Sequence, residues 1–429
     1  MRFIKTLLFA VFFFLLVTYP HKAEAASSIY PKKTTINEIG KTYQGFTLFT
    51  PLSGHTGPSG SNEVYLVDMK GKVVHSWKAA NTPGLYGFLL KNGNLMYAGN
   101  TEEFKEAPTP GGSGVISEID WSGKVVWEYR DKFMHHDFAK LPNGNLMVIA
   151  WEKMTDENKA RIVGGLSRDD NAADAWSDVY YEVDYKTKQI VWKWSGQEQL
   201  EIEKFPIGPL EDRKEWMHSN SISYLPKGNS FNGRPGILVS VRNTDTVMII
   251  DYETKEVTWN WGKDSINNQH DATLLTNGNL LIFDNGMNRD FIVPSSRVVE
   301  VNPVTNKIEW EYVGDGLLGS NFFSSLMSGA QRLPNGNTLI TESLSGRIFE
   351  VTRGVAVPQI VKEFPDFLKS KTYDNEIVWE YNSPYSVSPV AGPAIFKARR
   401  YSEKEINWPV KMPNPNPSSL IDTILGLFK

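Results

Sequence analysis

The stretch Asn268-Gln269-His270-Asp271-Ala272-Thr273-Leu274-Leu275-Thr276-Asn277-Gly278-Asn279-Leu280-Leu281-Ile282 constrains the whole chain, because its pattern recurs. His136-Asp137-Phe138-Ala139-Lys140-Leu141-Pro142-Asn143-Gly144-Asn145-Leu146 repeats it nearly residue for residue, with His136 eight positions before Gly144 as His270 stands eight before Gly278. A third copy, from His218-Ser219-Asn220 to Lys227-Gly228-Asn229, puts Asn220 at the eight-before position and His218 two residues earlier. On an extended strand, side chains at i and i+2 share a face. Copies ending Asn92-Gly93-Asn94 and Asn335-Gly336-Asn337 carry Leu85 and Ser328 at that slot and read as structural copies without the chemistry.

A second kind of hairpin alternates with the first. Alternating apolar residues lead to an Asp, a polar turn and apolar residues ending in Trp, first at Val64 to Trp77. The pattern returns at Val115 to Trp127, Val179 to Trp194, Val247 to Trp261, Val298 to Trp310 and, with a long insertion, Ile348 to Trp379, making six. The central Gly of the other hairpins suits the positive φ that tight turns demand. Units of two hairpins, hence four strands, recurring every roughly 50 to 70 residues are the signature of propeller blades. The fold expected is therefore all-β, a six-bladed β-propeller with a short N-terminal β segment.

A sixth Gly-centred hairpin is missing, so one blade is expected to be closed by strands from both chain ends, with Ala394 to Ser402 and the segment near Phe46 as candidates. Such closure removes exposed sheet edges. The recurrent Trp77, Trp127, Trp194, Trp261, Trp310 and Trp379 read as wedges between neighbouring blades. The domain reading is 1–25 a signal peptide, 26–60 an N-terminal β segment and linker, 61–402 the propeller and 403–429 a C-terminal tail. Loops at 153–177, 197–216, 315–328 and 354–373 interrupt the repeat and are candidates to shape substrate access.

Within the first segment, Arg2 and Lys5 precede the apolar run Leu7 to Val17, and Ala23-Glu24-Ala25 offers a small-x-small cleavage pattern. The run is short of the ~20 apolar residues a bilayer span needs. Export with cleavage is expected, leaving no stable membrane span and a secreted or extracytoplasmic location (periplasm or cell envelope). Cysteine is absent, which excludes thiol nucleophiles, thiolate zinc sites and lipoprotein anchoring. A net charge of −4 without a block of like charge argues against a nucleic-acid partner.

Innermost propeller strands surround a central channel, so residues at one register of different blades converge on one axis. His136, His218 with Asn220, and His270 come from three blades at or beside one register and are expected to gather at the channel mouth. Four of the seven histidines, His135, His136, His218 and His270, sit at these strand starts. Period-two alternation and alignment with His270 favour His136 over its neighbour as the channel-facing ring. Arg242, at the end of the following strand, offers paired donors for an oxyanion, and Arg289 is a lesser candidate.

Three readings of such a channel stand side by side. A histidine can be a nucleophile that takes an electrophilic group from an ester while Arg, Asn and other His donors hold its oxygens. The three histidines can instead bind a metal that activates water, as in a hydrolase or lyase. Or the channel only binds an anionic ligand or surface partner. The Asn and Arg favour the oxyanion readings, because a cation beside a divalent metal is repelled. The chain has no phosphate-cradling glycine loop of the nucleotide-binding kinds, and no cofactor is called for.

These residues resemble the bacterial aryl-sulfate sulfotransferase family, secreted six-bladed propellers that move a sulfuryl group between phenols without a nucleotide donor. The resemblance covers most of residues 45–402. It includes Tyr65-Leu66-Val67-Asp68 with Val74-His75-Ser76-Trp77, the His136-Asp137 block, His218-Ser219-Asn220-Ser221, Ser240-Val241-Arg242, Gln269-His270-Asp271-Ala272, Gly329-Ala330-Gln331-Arg332 and Phe396-Lys397-Ala398-Arg399-Arg400-Tyr401. It implies that His270 is the nucleophile of a ping-pong reaction through a sulfohistidine. It further implies that His218, Asn220 and Arg242 grip the sulfuryl oxygens and that His136 assists at the phenolic oxygen. The partners implied are an aryl sulfate donor, a phenolic acceptor and, as in the family, a second copy of the chain. The cysteine pair and the full leading β-domain of the best-known members are missing here.

Overall fold

The structure, a computed structural model, describes residues 33–52, 62–108, 110–166, 174–289, 293–315, 319, 321–356, 373–385 and 393–416. The expected signal peptide and the end of the tail lie outside the described residues.

Alternating apolar and polar residues build six antiparallel sheets, each a blade whose strands run in sequence from the axis outward. The second to fifth blades start on the axis with Thr82–Leu89, Met134–Lys140, Ser219–Leu225 and His270–Leu274, and the sixth with Gly329–Arg332. The first blade takes its axial strand, Arg399–Tyr401, from the C-terminal end of the propeller and pairs it with Phe46–Phe49. Both chain ends thus close the ring, as the missing hairpin required. The propeller also reaches further back than residue 61, since Lys33–Asn37 pairs with Ile377–Asn382 as a fifth strand on the sixth blade. Its partner edge would otherwise lie bare, and pairing it removes a site for unwanted strand addition.

The two recurring hairpins carry different duties. In the inner ones Gly93, Gly144, Gly278 and Gly336 adopt φ of 86° to 91°, which a side chain would strain. The Asn after the Gly donates its amide to a buried carboxylate on the next strand but one: Asn94 to Glu118 (2.7 Å), Asn145 to Glu182 (2.6 Å), Asn279 to Glu300 (2.8 Å) and Asn337 to Glu350 (2.7 Å). In the outer hairpins the Asp accepts the turn's own amides, as Asp68 does from Lys70 and Lys72, each at 2.9 Å.

Six apolar clusters fill the gaps between successive blades. The tryptophans link them by hydrogen bonds as well as packing. Trp77 donates to the Asp120 carbonyl (3.0 Å), Trp127 to Tyr185 (2.7 Å), Trp194 to Lys255 (3.0 Å), Trp310 to Arg353, and Trp379 to Met69 (2.8 Å), each in the outer turn of the next blade. In the fourth blade Trp259 makes this contact, to Asn306 at 2.9 Å, while Trp261 packs in the cluster. Two residues apart on one strand, they share a face.

On the axis, Lys397 Nζ lies 3.0 Å from Asp137 Oδ2 and 2.9 Å from Asp271 Oδ1. Arg399 Nη2 approaches Asp271 Oδ1 at 2.8 Å, and the Tyr86 hydroxyl donates to Asp137 Oδ1 at 2.5 Å. The amides of Ile222 and Ala330 donate to the same two carboxylates, at 3.1 and 3.0 Å. Burial opposes the Asp271 charge, but Arg399 and Lys397 hold its carboxyl below the ordinary range. The tail crosses the opposite end of the propeller, where Asn407 N donates to Lys91 O (2.8 Å), Trp408 packs edge-on to Phe46 and Met69 N donates to Pro415 O (2.8 Å).

Removing the lysine leaves two buried carboxylates undercompensated. Lys397→Met is expected to cost about 3–5 kcal/mol, measured as a drop in urea midpoint with an unchanged slope; a loss below about 1 kcal/mol would show that the axial network is not a structural keystone.

Candidate active site

The functional side chains sit where the inner strands begin, and there the ladders break register. Pairing shifts between Val148 and Ala150 opposite the His136 strand, between Ser219 and Ser221, and between His270 and Thr273. His136, His218 and Asp271 occupy the left-handed region at φ 55°, 54° and 52°. Each such residue costs about 1 kcal/mol or more, and bulges re-aim side chains. The His-Asp dipeptides thereby divide their work: Asp137 and Asp271 turn onto the axial lysine, and His136 and His270 turn toward a common cavity.

That cavity, about 790 Å³, is lined at its polar end by His136, His218, His270, Arg242, Asn243 and Glu215. The rest of its lining is mainly apolar, with Leu85, Pro108, Pro110, Leu326, Met327 and Phe396, and includes Thr82, Asn100, Glu102 and Lys214. The loop around 211–215 contributes to the lining, as expected for 197–216. The structure therefore brings together His136, His218, His270 and Arg242. His136 and His218 rings lie 4.6 Å apart between centroids, and Arg242 N donates to His218 O at 3.2 Å.

Two candidates fall elsewhere. Asn220 is wholly buried and does not line the cavity; its amide donates to Gln269 O at 2.7 Å, so it braces the backbone beside His270 rather than facing a ligand. Sharing a face with His218 holds for an unbroken strand, and the bulge at Ser219 to Ser221 breaks it. Arg289 pairs with Asp284 and is likewise off the cavity. His135 turns away from the cavity and stacks on Trp151, centroids 4.3 Å apart.

The state of His270 is fixed by its surroundings. Asn285 Nδ2 donates to the carbonyls of Ser324 (2.8 Å) and Met327 (2.9 Å), so its Oδ1 must face His270 Nδ1 at 2.8 Å as an acceptor. Nδ1 then carries the proton, and it also faces Asn268 O at 3.1 Å. The Nε2 lone pair accepts the Met327 amide at 3.2 Å. Burial, with the Arg242 charge, lowers the His270 pKa to about 3, against the support of Asn285. The ring is neutral, as a nucleophile must be.

The neighbours are equally braced. His218 Nδ1 faces Glu215 Oε2 at 2.7 Å, and Glu215 Oε1 accepts the Trp151 ring N–H at 2.6 Å. Burial opposes the Glu215 charge, but His218, His135 and the Trp151 ring N–H together hold its carboxyl below the ordinary range. His136 is pushed well below its ordinary value by burial and by His218, His135, His270 and Arg242. Arg242 Nη1 donates to Glu211 (2.6 Å) and Asn243 (2.8 Å), while its buried Nε has no partner among the described residues. A buried guanidinium donor without an acceptor is a place for a ligand oxygen.

Sequence reasoning missed Asn285, Glu211, Asn243 and Glu215. Three of them lie in loops or at strand ends without the repeat's spacing; only Glu215, three residues before His218, carried a positional hint.

The arylsulfotransferase (ASST) family model matches residues 35–268, more than half of the chain, and the protein belongs to that family. The matched segment ends two residues before His270. Membership supports aryl sulfotransfer in general, on small-molecule substrates. A search of the curated proteins finds no match. Among solved structures, a protein of unknown function from Bacteroides caccae is 13% identical, with TM-score 0.47 over 84% of this chain and 100% of its own. A catalytically inactive virginiamycin B lyase from Staphylococcus aureus, with quinupristin, is 10% identical (TM-score 0.42; 83% and 91%). Hydrazine synthase from Kuenenia stuttgartiensis is 12% identical (TM-score 0.45; 85% and 90%). No helix among the described residues is long and apolar enough to cross a membrane.

Holding His270 neutral has a cost in acid. Its folded pKa lies below the ordinary 6.5, so as pH falls below that value the unfolded chain binds the proton first and stability drops. The slope is up to about 1.4 kcal/mol per pH unit, and His136 adds one of the same sign. Urea unfolding between about pH 6.5 and 4 is expected to show a shallower slope in His270→Gln; an unchanged slope would contradict the neutral assignment.

Proposed function

We propose that the protein is an exported aryl-sulfate sulfotransferase that carries the sulfuryl group on His270 Nε2 between a phenolic sulfate ester and a phenolic acceptor. The observation that carries this reading is the forced tautomer of His270: Nδ1 is held as a donor by Asn285, leaving the Nε2 lone pair on the cavity. Membership of the family supports the sulfuryl chemistry, and the apolar walls suit an aromatic ring.

In the first half-reaction Nε2 attacks sulfur, forming the N–S bond while the S–O bond to the aryl group breaks and its electron pair leaves as phenolate. Arg242 and His218 hold the sulfuryl oxygens, with Glu215 behind His218 orienting its ring. The Met327 amide, which donates to Nε2 at 3.2 Å, must give up that lone pair before the attack, and once displaced it is a further donor beside the sulfuryl oxygens. His136 donates to the phenolic oxygen. In the second half-reaction an acceptor phenol enters, its oxygen attacks sulfur, the N–S bond breaks and the Nε2 lone pair is restored. The acceptor's proton leaves through His136 or solvent. Fixed donors that meet charge as it develops, in a site shielded from water, supply the acceleration.

The proposed localisation, outside the cytoplasm, rests on the signal pattern of residues 1–25.

Release of nitrophenolate from 4-nitrophenyl sulfate is expected to depend on added phenol and to vanish in His270→Ala with the melting transition retained; normal turnover in that variant would remove the nucleophile. Arg242→Lys, which keeps the charge and loses the planar fork, is expected to lower kcat by roughly 10²–10³-fold. An unchanged rate would take Arg242 out of the transition state.

A further inference from the structure

His136 has two opposite tasks in the proposed reaction. It donates to the phenolic oxygen in one half-reaction and takes up the acceptor's proton in the other. It cannot hold a charge in between, because burial and the facing His218, His135, His270 and Arg242 keep its ring neutral. The proton must be kept elsewhere. The His136 ring is clamped against Gly111, where a Cβ would strike it, and its Nδ1 lies 2.8 Å from His135 Nδ1. The neighbouring ring is thus in direct reach, on the side away from the cavity.

His135 has surroundings of the other sign. Its Nε2 faces Asp178 Oδ1 at 3.3 Å, an ion-pair distance without the alignment of a hydrogen bond, and neither atom has another partner among the described residues. Asp178 Oδ2 accepts the Ser219 amide at 2.6 Å, and no lysine or arginine among the described residues pairs with this carboxylate. A Glu215 carboxylate oxygen comes within 4.8 Å of the His135 ring, and Trp151 stacks on its face at 4.3 Å between centroids. All four side chains are buried. Two carboxylates and an indole face are a setting for a cation, whereas a bare lone pair on Nε2 would point at a buried anion.

We propose that His135, paired with Asp178, is the proton store behind His136, an inference that rests on sulfuryl transfer taking place in this cavity. At rest His135 carries a proton on each nitrogen: Nε2–H faces Asp178, and Nδ1–H donates to His136 Nδ1, which fixes the His136 proton on Nε2 toward the cavity. As the S–O bond to the aryl group breaks, the phenolic oxygen takes the proton from His136 Nε2, and the His135 Nδ1 proton passes to His136 Nδ1. The donor leaves as neutral phenol, His135 becomes neutral, and His136 keeps a lone pair on Nε2. In the second half-reaction that lone pair takes the acceptor's proton while the Nδ1 proton returns to His135. One proton moves out and back, and no charge settles on His136. His135 and Asp178 are positioning residues that act through His136 and touch no substrate.

The test compares a poor leaving group with a good one. In single turnovers of the full chain without acceptor, Asp178→Asn is expected to slow aryl release from phenyl sulfate by about 10²-fold and from 4-nitrophenyl sulfate by less than about fivefold, because only the more basic leaving oxygen needs the proton. His135→Gln reads the same split should Asp178→Asn not fold. A purely structural role would slow both esters alike. Imidazole ¹⁵N spectra of the resting, histidine-labelled chain are expected to show both His135 nitrogens protonated at neutral pH, the signals being identified by their absence from His135→Gln. Those spectra do not depend on turnover, so a failure of sulfuryl transfer itself, seen as no aryl release from the unaltered chain, is told apart from a failure of the store. Equal losses for the two esters, or a His135 ring with a single protonated nitrogen, would overturn the proposal.

Discussion

Everything in this propeller turns on one buried contact, the Lys397 ammonium held between Asp137 and Asp271. The lysine belongs to the segment that leads into the closing strand, and the carboxylates belong to the third and fifth blades. Tyr86, Ile222 and Ala330 bring the second, fourth and sixth into the same network. One charge cluster therefore fastens all six blades at the axis. Two carboxylates and a lysine out of water are costly unless fully bonded, so the arrangement tolerates little misregister. It also orders the site, because the residue before each aspartate is a cavity histidine.

That coupling explains why the repeat was informative and where it misled. The recurrent Gly turns and Trp-ended hairpins were enough to count blades and to foresee the closure by Arg399–Tyr401 and Phe46–Phe49, since both follow from strand period and edge protection. The convergence of His136, His218 and His270 was also legible, because equal register in different blades means a common place near the axis. Asn220 shows the limit. Period-two reasoning gives it the face of His218, but a bulge between them sends it into the protein interior toward Gln269. Bulges depend on what the neighbouring strand and the axis demand, and no local residue pattern announces them.

The residues that tune the site were invisible for a related reason. Asn285 settles the His270 tautomer through carbonyls of residues 324 and 327, and Glu211 restrains Arg242 from a short strand, Ile207–Asp212, that lies between the third and fourth blades in sequence. Neither sits at a repeated position, and their partners are distant in sequence. The outer pieces of the fold, the fifth strand at Lys33–Asn37 and the docked tail to residue 416, were undetermined because neither obeys the repeat.

The account centres on a neutral imidazole whose Nε2 takes the sulfuryl group. Rapid-quench mass spectrometry of the chain mixed with an aryl sulfate and no acceptor tests this most directly. The account predicts one sulfuryl group per chain, confined to the peptide bearing His270, formed at the rate of phenolate release and discharged when phenol is added. Phenol-dependent turnover with no adduct at any time point, or an adduct on another residue that transfers at full rate, would contradict it.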